Sequence, residues 1–235
     1  MLFYLEDGKA LPWERIEALL REFSDAHPEW RSVLLLPPDI TRFHSGAGKI
    51  TAFYYRELTA RGAKVRVLPA LGTHVPMTRE ECIRMYGEEI PEEAYLVHDF
   101  RNAITEIGTV PAGVMEKLSN GLFTEDVHVS VNRELVSGKY DAILSIGQVI
   151  SHEIAGMAGY TKNILVGCGG GEMMCEILKY VDFERIKTAR AKWFMGYSDN
   201  TNLTFLLNTL CDTAAIYGPC AGSFGMEPWH ESLED

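Results

Sequence analysis

The sequence lacks a long apolar run, a basic leader and an excess of positive charge. No uninterrupted apolar stretch reaches the length of about 18 residues that a membrane-spanning helix needs. The first nine residues include Glu6 and Asp7 instead of a basic segment. The 22 Lys and Arg residues are outnumbered by 33 Asp and Glu, giving a formal net charge of -11, which disfavours binding to nucleic acid or an anionic membrane. We therefore expect a cytoplasmic protein that binds neither.

The sequence also lacks any arrangement of cysteines typical of a disulfide framework or a structural zinc site. Its five cysteines are widely spaced, with no CxxC pair and no zinc-finger spacing of Cys and His. We expect reduced thiols buried in the core, which is the usual state of free cysteine.

A strand, helix, strand pattern occupies the first third of the chain. The apolar run Ser32–Pro38 ends in two prolines and is typical of a strand covered on both faces. A loop over Asp39–Gly48, a helix over Lys49–Arg61 and a second strand over Ala63–Pro69 follow. This order predicts a βαβ unit with a right-handed crossover.

The same alternation continues towards the C-terminus. Helices are predicted over Leu11–Phe23, Met77–Tyr86 and Cys175–Lys187, and strands over Glu93–His98, Ile104–Val110, Val127–Val131 and Tyr140–Ile146. The pattern over Leu203–Tyr217 fits either a helix or mixed structure. With 46% hydrophobic residues in 235, the chain has enough apolar surface for one domain over residues 1–235. The predicted fold class is α/β with a Rossmann-like, doubly wound, mostly parallel sheet.

Polar side chains follow three of the predicted strands. Asp39, Thr41 and Arg42 follow the first, His74 follows the second, and His152 follows the strand that ends at residue 146. The carboxyl ends of parallel strands meet at one edge of a sheet, so these loops are predicted to converge. Two imidazoles beside a guanidinium form a candidate acid/base pair for a small anionic substrate. The alternatives are surface histidines and an Arg42–Asp39 ion pair.

Two glycine-rich segments flank a lysine. Gly156 and Gly159 precede Lys162, and Gly167–Glu172 opens a predicted helix. Either segment could bring backbone N–H groups to a phosphate or could form a tight turn, and neither matches a P-loop or GxGxxG. Lys162 is a candidate phosphate cation, nucleophile or surface lysine. Cys168, between glycines, is a candidate soft metal ligand.

Three sequence blocks resemble the N-terminal domain of the nickel-dependent lactate racemase family, which includes other 2-hydroxyacid racemases and epimerases. The blocks are Leu36-Pro-Pro-Asp-Ile-Thr-Arg42, Gly72-Thr-His-Val-Pro76 and Gly147–Gly156, followed by Lys162. The resemblance implies an isomerase that inverts a small, lactate-like 2-hydroxy acid. It also implies proton-coupled hydride transfer to a nickel-pincer nucleotide.

The resemblance also implies a role for each matched residue. His74 and His152 are similar to the two acid/base histidines of the family, one for each face of the substrate, and Arg42 to the residue that binds the substrate carboxylate. The implied cofactor-binding residues are Asp39, Thr41, Gly156, Gly159 and Lys162, with Lys162 as the tethering lysine.

The sequence departs from the family pattern at one ligand position and in the loop Gly156-Met-Ala-Gly-Tyr-Thr-Lys162, which differs from the glycine-rich, basic loop typical of the racemase. Lactate racemase has a further nickel-ligating histidine, whereas this sequence has none between His152 and His230. Cys168 is the candidate replacement, and retention of nickel by the pincer alone and absence of the cofactor are the alternatives. The family's cleft lies between two domains, so a C-terminal domain or partner subunit is expected to complete it.

Two further functions remain open at this point. One is a noncatalytic, partner-dependent domain that binds a nucleotide or a hydroxy acid. The other is an oxidoreductase with a diffusible nicotinamide cofactor, which the missing GxGxxG disfavours.

Overall fold

A computed structural model describes residues 11–118, 120–121, 123–149, 151–152, 156–157, 162–170, 175, 178–190, 192–196 and 198–218. Its α-helices are α1 (Trp13–Asp25), α2 (Ala47–Ala60), α3 (Arg79–Tyr86), α4 (Ala112–Leu118), α5 (Lys162–Leu165), α6 (Phe183–Thr188) and α7 (Thr201–Cys211). Its strands are β1 (Ser32–Leu36), β2 (Lys64–Val67), β3 (Ile104–Val110), β4 (Val127–Asn132), β5 (Ala142–Ser145), β6 (Ser151–His152), β7 (Gly156–Met157), β8 (Met195–Gly196) and β9 (Ile216–Tyr217).

The chain divides into two compact units. The first comprises Met1–Val149 and Gly159–Gly170, and the second comprises Ile150–Ala158 and Gly171–Asp235. The prediction of one domain over residues 1–235 stays a prediction.

A parallel sheet of three strands in the order β2-β1-β5 forms the centre of the first unit. The central strand β1 is buried on both faces, because its side chains alternate between two apolar clusters. Val33 and Leu35 pack in the cluster that includes residues of α2 and α3. Leu34 and Leu36 pack on the other face with Leu68. These contacts confirm the predicted doubly covered strand and the βαβ unit.

A local sequence signal marks the start of α3, and a close backbone contact fixes the start of α2. Thr78 and Glu81 form a capping box at the start of α3, with each side chain bonded to the other residue's backbone N–H. The start of α2 depends on glycine, since a Cβ on Gly48 would lie 1.9 Å from the carbonyl oxygen of Met85. The backbones of α2 and α3 therefore touch without an intervening side chain.

Two strand predictions need correction. β3 and β4 exist as predicted but pair antiparallel with each other, with a register shift between Glu106 and Gly108, instead of joining the parallel sheet. The predicted strand Glu93–His98 is wrong. A 3-10 helix covers Glu92–Ala94, and only Tyr95 then bridges β2. Pro91 and two acidic residues favour a helical first turn at that position.

The second unit contains short elements. α6 packs on α7, and β8 pairs in parallel with β9. The predicted helix Cys175–Lys187 is not one continuous helix. A 3-10 helix covers Leu178–Tyr180, and α6 begins at Phe183. Asp182 caps α6, because its carboxylate accepts a hydrogen bond from the Arg185 N–H. The segment from residue 203 to 217 is mixed, because α7 stops at Cys211 and a strand follows.

The structure thus supports a mixed α/β fold with a parallel sheet, and the Rossmann-like, doubly wound order stays a prediction. None of the described helices has both the length and the apolar character needed to cross a bilayer.

The close contact at Gly48 gives a test with a matched control. Gly48→Ala should destabilise the protein by about 3 kcal/mol, because the added methyl group meets backbone that cannot rotate away. Gly113→Ala in α4 has open space around the added carbon and should change stability by less than about 1 kcal/mol. Urea unfolding of both variants measures the difference. Equal urea midpoints for the two variants would show that Gly48 does not lie against the Met85 carbonyl.

Candidate functional site

The loops after β1 and β2 lie side by side at the carboxyl edge of the parallel sheet. The Ala70 N–H donates to the Pro37 carbonyl at 2.8 Å, and Pro38 and Ala70 form a parallel bridge beyond the ends of both strands. This pairing brings Asp39 and His74 together, as the sequence predicted for the first two loops.

Asp39 and His74 form a hydrogen-bonded pair. The Asp39 Oδ2 atom lies 2.5 Å from His74 Nδ1, and Oδ1 accepts from the backbone N–H of Thr41 at 3.1 Å and from its hydroxyl at 2.5 Å. Asp39 is only 5% exposed, whereas the His74 side chain is 52% exposed. Because the carboxylate occupies Nδ1, the exposed ring presents Nε2 for proton transfer.

Tyr86 holds the backbone in front of this pair. Its ring is buried, and its hydroxyl donates to the Pro38 carbonyl at 2.6 Å. Burial raises the pKa of Tyr86, so the phenol stays protonated and remains a donor. The position of Asp39 is therefore fixed from α3 as well as from β2.

Arg42 lies in the same loop, in a 3-10 helix over Ile40–Ser45. Its side chain is exposed, and within the described part of the chain its guanidinium makes no ion pair or hydrogen bond. The two Asp39 oxygens bond Thr41 and His74 instead, so the alternative Arg42–Asp39 ion pair is not formed. The guanidinium fork is thus available at the sheet edge.

Lys162 also belongs to this edge. It starts α5, and the next residue, Asn163, donates through Nδ2 to the carbonyls of Leu36 and Ile146 at the ends of β1 and β5. At the other end of the same segment, the Gly167 carbonyl accepts from the Gly72 N–H at 2.7 Å. The side chain of Lys162 is half-buried, and Lys162 makes a noncovalent contact with another group of the chain.

Three further predicted site residues, His152, Gly156 and Gly159, are not among the described residues of the first unit. His152 pairs with Gly156 between β6 and β7, in the second unit. Gly159 lies outside the described residues. The predicted convergence of His152 with His74 therefore stays a prediction.

Cys168 lies in the apolar core of the first unit. It is fully buried among Leu34, Leu36 and Leu68, and burial raises the pKa of its thiol to about 12. Metal ligation requires the thiolate, which this environment disfavours. No group of three or more His, Cys, Asp or Glu side chains that could hold a metal occurs among the residues that the structure describes.

A buried histidine that the sequence left unassigned connects the glycine-rich segment to β4. His98 is 3% exposed, with Nε2 3.0 Å from the Gly169 carbonyl and Nδ1 3.0 Å from Asn132 Nδ2. Burial lowers the pKa of His98. A neutral ring that accepts from Asn132 and donates to Gly169 satisfies both contacts.

The sequence reasoning missed Tyr86, His98 and Asn163 as supports of the edge. Their partners are backbone carbonyls far away in the chain, which no local pattern marks. The one available signal was the diproline at the end of β1, since a strand that ends in two prolines leaves carbonyl groups for donors from other elements.

Comparison with known families gives a match over most of this region. Residues 18–177 match the lactate racemase N-terminal domain. Residues 157–218 match the LD-carboxypeptidase N-terminal domain, over about a quarter of the chain.

Two curated relatives and one solved structure agree with the first match. The chain is 30% identical over 196 residues to lactate racemase of Lactiplantibacillus plantarum, covering 77% of this chain and 42% of the relative. It is 28% identical over 170 residues to lactate racemase of Thermoanaerobacterium thermosaccharolyticum, covering 66% and 35%. A crystal structure of a Thermotoga maritima protein aligns with a TM-score of 0.64 and 31% identity, covering 72% of this chain and 41% of that one. The chain thus spans less than half the length of these relatives.

The burial of Cys168 predicts that its thiol reacts poorly with alkylating reagents in the native protein. In a Cys220→Ser background, iodoacetamide should alkylate the exposed Cys175 in the native protein and leave Cys168 unmodified, because a buried thiol is both protonated and inaccessible. Peptide mass spectrometry with and without urea measures both sites. Native labelling of Cys168 at the rate of Cys175 would show an accessible thiolate and restore it as a metal ligand.

Proposed function

The chain belongs to the lactate racemase N-terminal domain family, and from this premise we propose that it acts in the racemisation or epimerisation of a small, lactate-like 2-hydroxy acid. The observation that carries the proposal is the Asp39–His74 pair at the carboxyl edge of a parallel sheet. Ligands bind at this edge in α/β sheets. A histidine oriented by a buried carboxylate is a general acid/base.

His74 transfers the hydroxyl proton of the substrate. With Nδ1–H donated to Asp39 Oδ2, the Nε2 lone pair accepts the proton as the hydroxyl becomes a carbonyl. Asp39 stabilises the imidazolium that results, because its carboxylate is already aligned by Thr41. In the reverse direction, the imidazolium donates a proton to the carbonyl oxygen, which becomes the hydroxyl of the enantiomer that His74 faces.

His152 supplies the equivalent group for the opposite face. Inversion at carbon requires a hydroxyl to be deprotonated in one orientation and reprotonated in another, so one fixed base cannot serve both enantiomers. His152 is the second histidine that the family resemblance assigns to this task.

Arg42 binds the substrate carboxylate. A guanidinium offers two parallel N–H donors to a carboxylate, and Arg42 is exposed in the loop that carries Asp39. The substrate is thereby oriented with its hydroxyl group towards His74.

Lys162, Thr41, Gly156 and Gly159 are the proposed contacts of a nickel-pincer nucleotide. The backbone of Lys162 is fixed at the same edge as Asp39 through Asn163, which fits covalent attachment through its amine. When bound, this group supplies the acceptor for the α-hydrogen of the substrate. Cys168 is fully buried among apolar side chains of the first unit, so we leave it out of the proposed site.

A further domain or a partner subunit completes the cleft. More than half the length of both curated relatives lies outside the match with this chain. Contacts that select the side chain of the substrate are proposed to come from that additional part.

Deuterium labelling tests the hydride route. The chain, coexpressed with the enzymes that build the cofactor, is incubated in D2O with single enantiomers of lactate and related 2-hydroxy acids. Hydride transfer should give inverted product that keeps its α-hydrogen, because that hydrogen is not exchanged with solvent. Chiral chromatography with mass spectrometry measures both properties. Deuterium at the α-carbon would overturn the hydride route. Binding of a hydroxy acid without inversion under every loading condition would favour the noncatalytic domain.

Substitutions in the Asp39–His74 pair test the role of His74. His74→Gln should lower kcat for inversion by about 10²–10⁴-fold, because it removes the proton acceptor. Asp39→Asn should also lower kcat, because the imidazolium that forms during proton transfer loses its carboxylate partner. His44→Gln, an exposed histidine in the same loop as Arg42, is the matched control and should leave kcat nearly unchanged. Equal activity of the two histidine variants would remove His74 from the reaction.

A further inference from the structure

The hydrogen-bond ladder between β1 and β5 is interrupted by proline. Leu36 pairs with Ser145, and the Ile146 N–H donates to the Leu36 carbonyl at 3.0 Å. In a parallel ladder the next bond runs from the N–H two residues further along β1 to the carbonyl of Ile146. That position is Pro38, which has no N–H. The ladder therefore cannot supply a donor to Ile146.

Asn163 supplies the donor that Pro38 lacks. Its Nδ2 atom lies 3.0 Å from the Ile146 carbonyl and 3.3 Å from the Leu36 carbonyl. A primary amide has two N–H donors on one nitrogen, so one side chain bonds the ends of two strands. Asn163 is also close to the loop after β5, since a Cβ on Gly147 would lie 3.3 Å from the same nitrogen.

The segment that follows Asn163 is fixed at its other end by glycine. Gly167 packs so closely on the loop after β2 that an added Cβ would lie 2.6 Å from the Cβ of Ala70. Its carbonyl accepts from Gly72, two residues before His74, and the Lys162 carbonyl accepts from the N–H groups of Val166 and Gly167. The turn that begins at Lys162 is therefore attached to the last residue of β1 and to the segments that directly follow β2 and β5.

We propose that Asn163 is a positioning residue, which sets the place of the Lys162 amine at the sheet edge by replacing the strand donor that Pro38 removes. The inference rests on the proposed function of Lys162. Asn163 itself touches no reacting atom in this scheme. It acts through the backbone of its neighbour, and the same anchor couples Lys162 to the loop that carries His74.

The test measures the reactivity of the Lys162 amine in the chain without cofactor. Asn163→Leu keeps the approximate shape of the side chain and removes the Nδ2 donor. Asn163→Asp also removes the donor and leaves a side chain of the same size as asparagine. Each variant is treated with acetic anhydride over a range of pH. Peptide mass spectrometry gives the labelling rate of Lys162 relative to Lys64, which is exposed on β2.

Both variants should change the Lys162 to Lys64 ratio by about threefold to tenfold and shift its pH profile, because the loss of such a bond frees the turn locally. Asn202→Leu is the matched control. Its Nδ2 donates to the Asp199 carbonyl at 2.9 Å in the second unit, and its loss should leave the ratio unchanged.

An unchanged ratio and pH profile in the folded Asn163 variants would overturn the proposal. A change of equal size in Asn202→Leu would also overturn it, since the effect would then be global destabilisation. If the leucine variant does not fold, the aspartate variant decides. Failure of the wild-type chain to gain mass at Lys162 after cofactor loading would instead contradict the proposed function, and the amine measurement would still decide on Asn163.

Discussion

The end of β1 at Pro37 and Pro38 is the constraint on which the candidate site depends. Neither proline has an N–H group, so the strand cannot donate from Pro37 towards β2 or from Pro38 towards β5. Donors from three other elements meet the carbonyls at this end of the sheet. The Ala70 N–H bonds Pro37, the Tyr86 hydroxyl bonds Pro38, and the Asn163 amide bonds Ile146 and Leu36. The loop that leaves the diproline begins with Asp39, so the elements that satisfy the backbone also place the carboxylate.

The electrostatics of the edge follow from a buried carboxylate in an acidic chain. A carboxylate buried to the 5% exposure of Asp39 needs hydrogen-bond donors to offset the hydration that it loses. Thr41 and His74 supply these bonds, which leaves Arg42 without a carboxylate partner in the described part of the chain. The edge therefore combines a base that is held in place with a cation that is free to meet an anion, although the chain as a whole carries a net charge of -11.

Local pattern predicted the frame of the first unit and failed where partners are distant in sequence. The run at residues 32–36 and the capping signal at Thr78 encode β1 and the start of α3 directly, and the loops after parallel strands identified Asp39, Arg42 and His74. The segment Glu93–His98 was predicted as a strand because its apolar run Ala94–Val97 suits both a paired strand and an extended segment that is packed without a ladder. His98 is buried at the end of this segment, and its partners are Asn132 and Gly169. The position of Cys168 between glycines suggested an accessible thiol, whereas Leu34 and Leu36 of β1 and Leu68, directly after β2, enclose it.

The side-chain amide of Asn163 is a chemically labile group at this edge of the sheet. Asparagine is among the thermolabile residues, because its side chain hydrolyses to a carboxylate on ageing or heating. At this position hydrolysis replaces a donor to two carbonyl oxygens with a negative charge that faces them, and the repulsion acts on the turn that carries Lys162. Hydrolysis of this one amide would therefore loosen the turn that carries Lys162 and leave the apolar core unchanged.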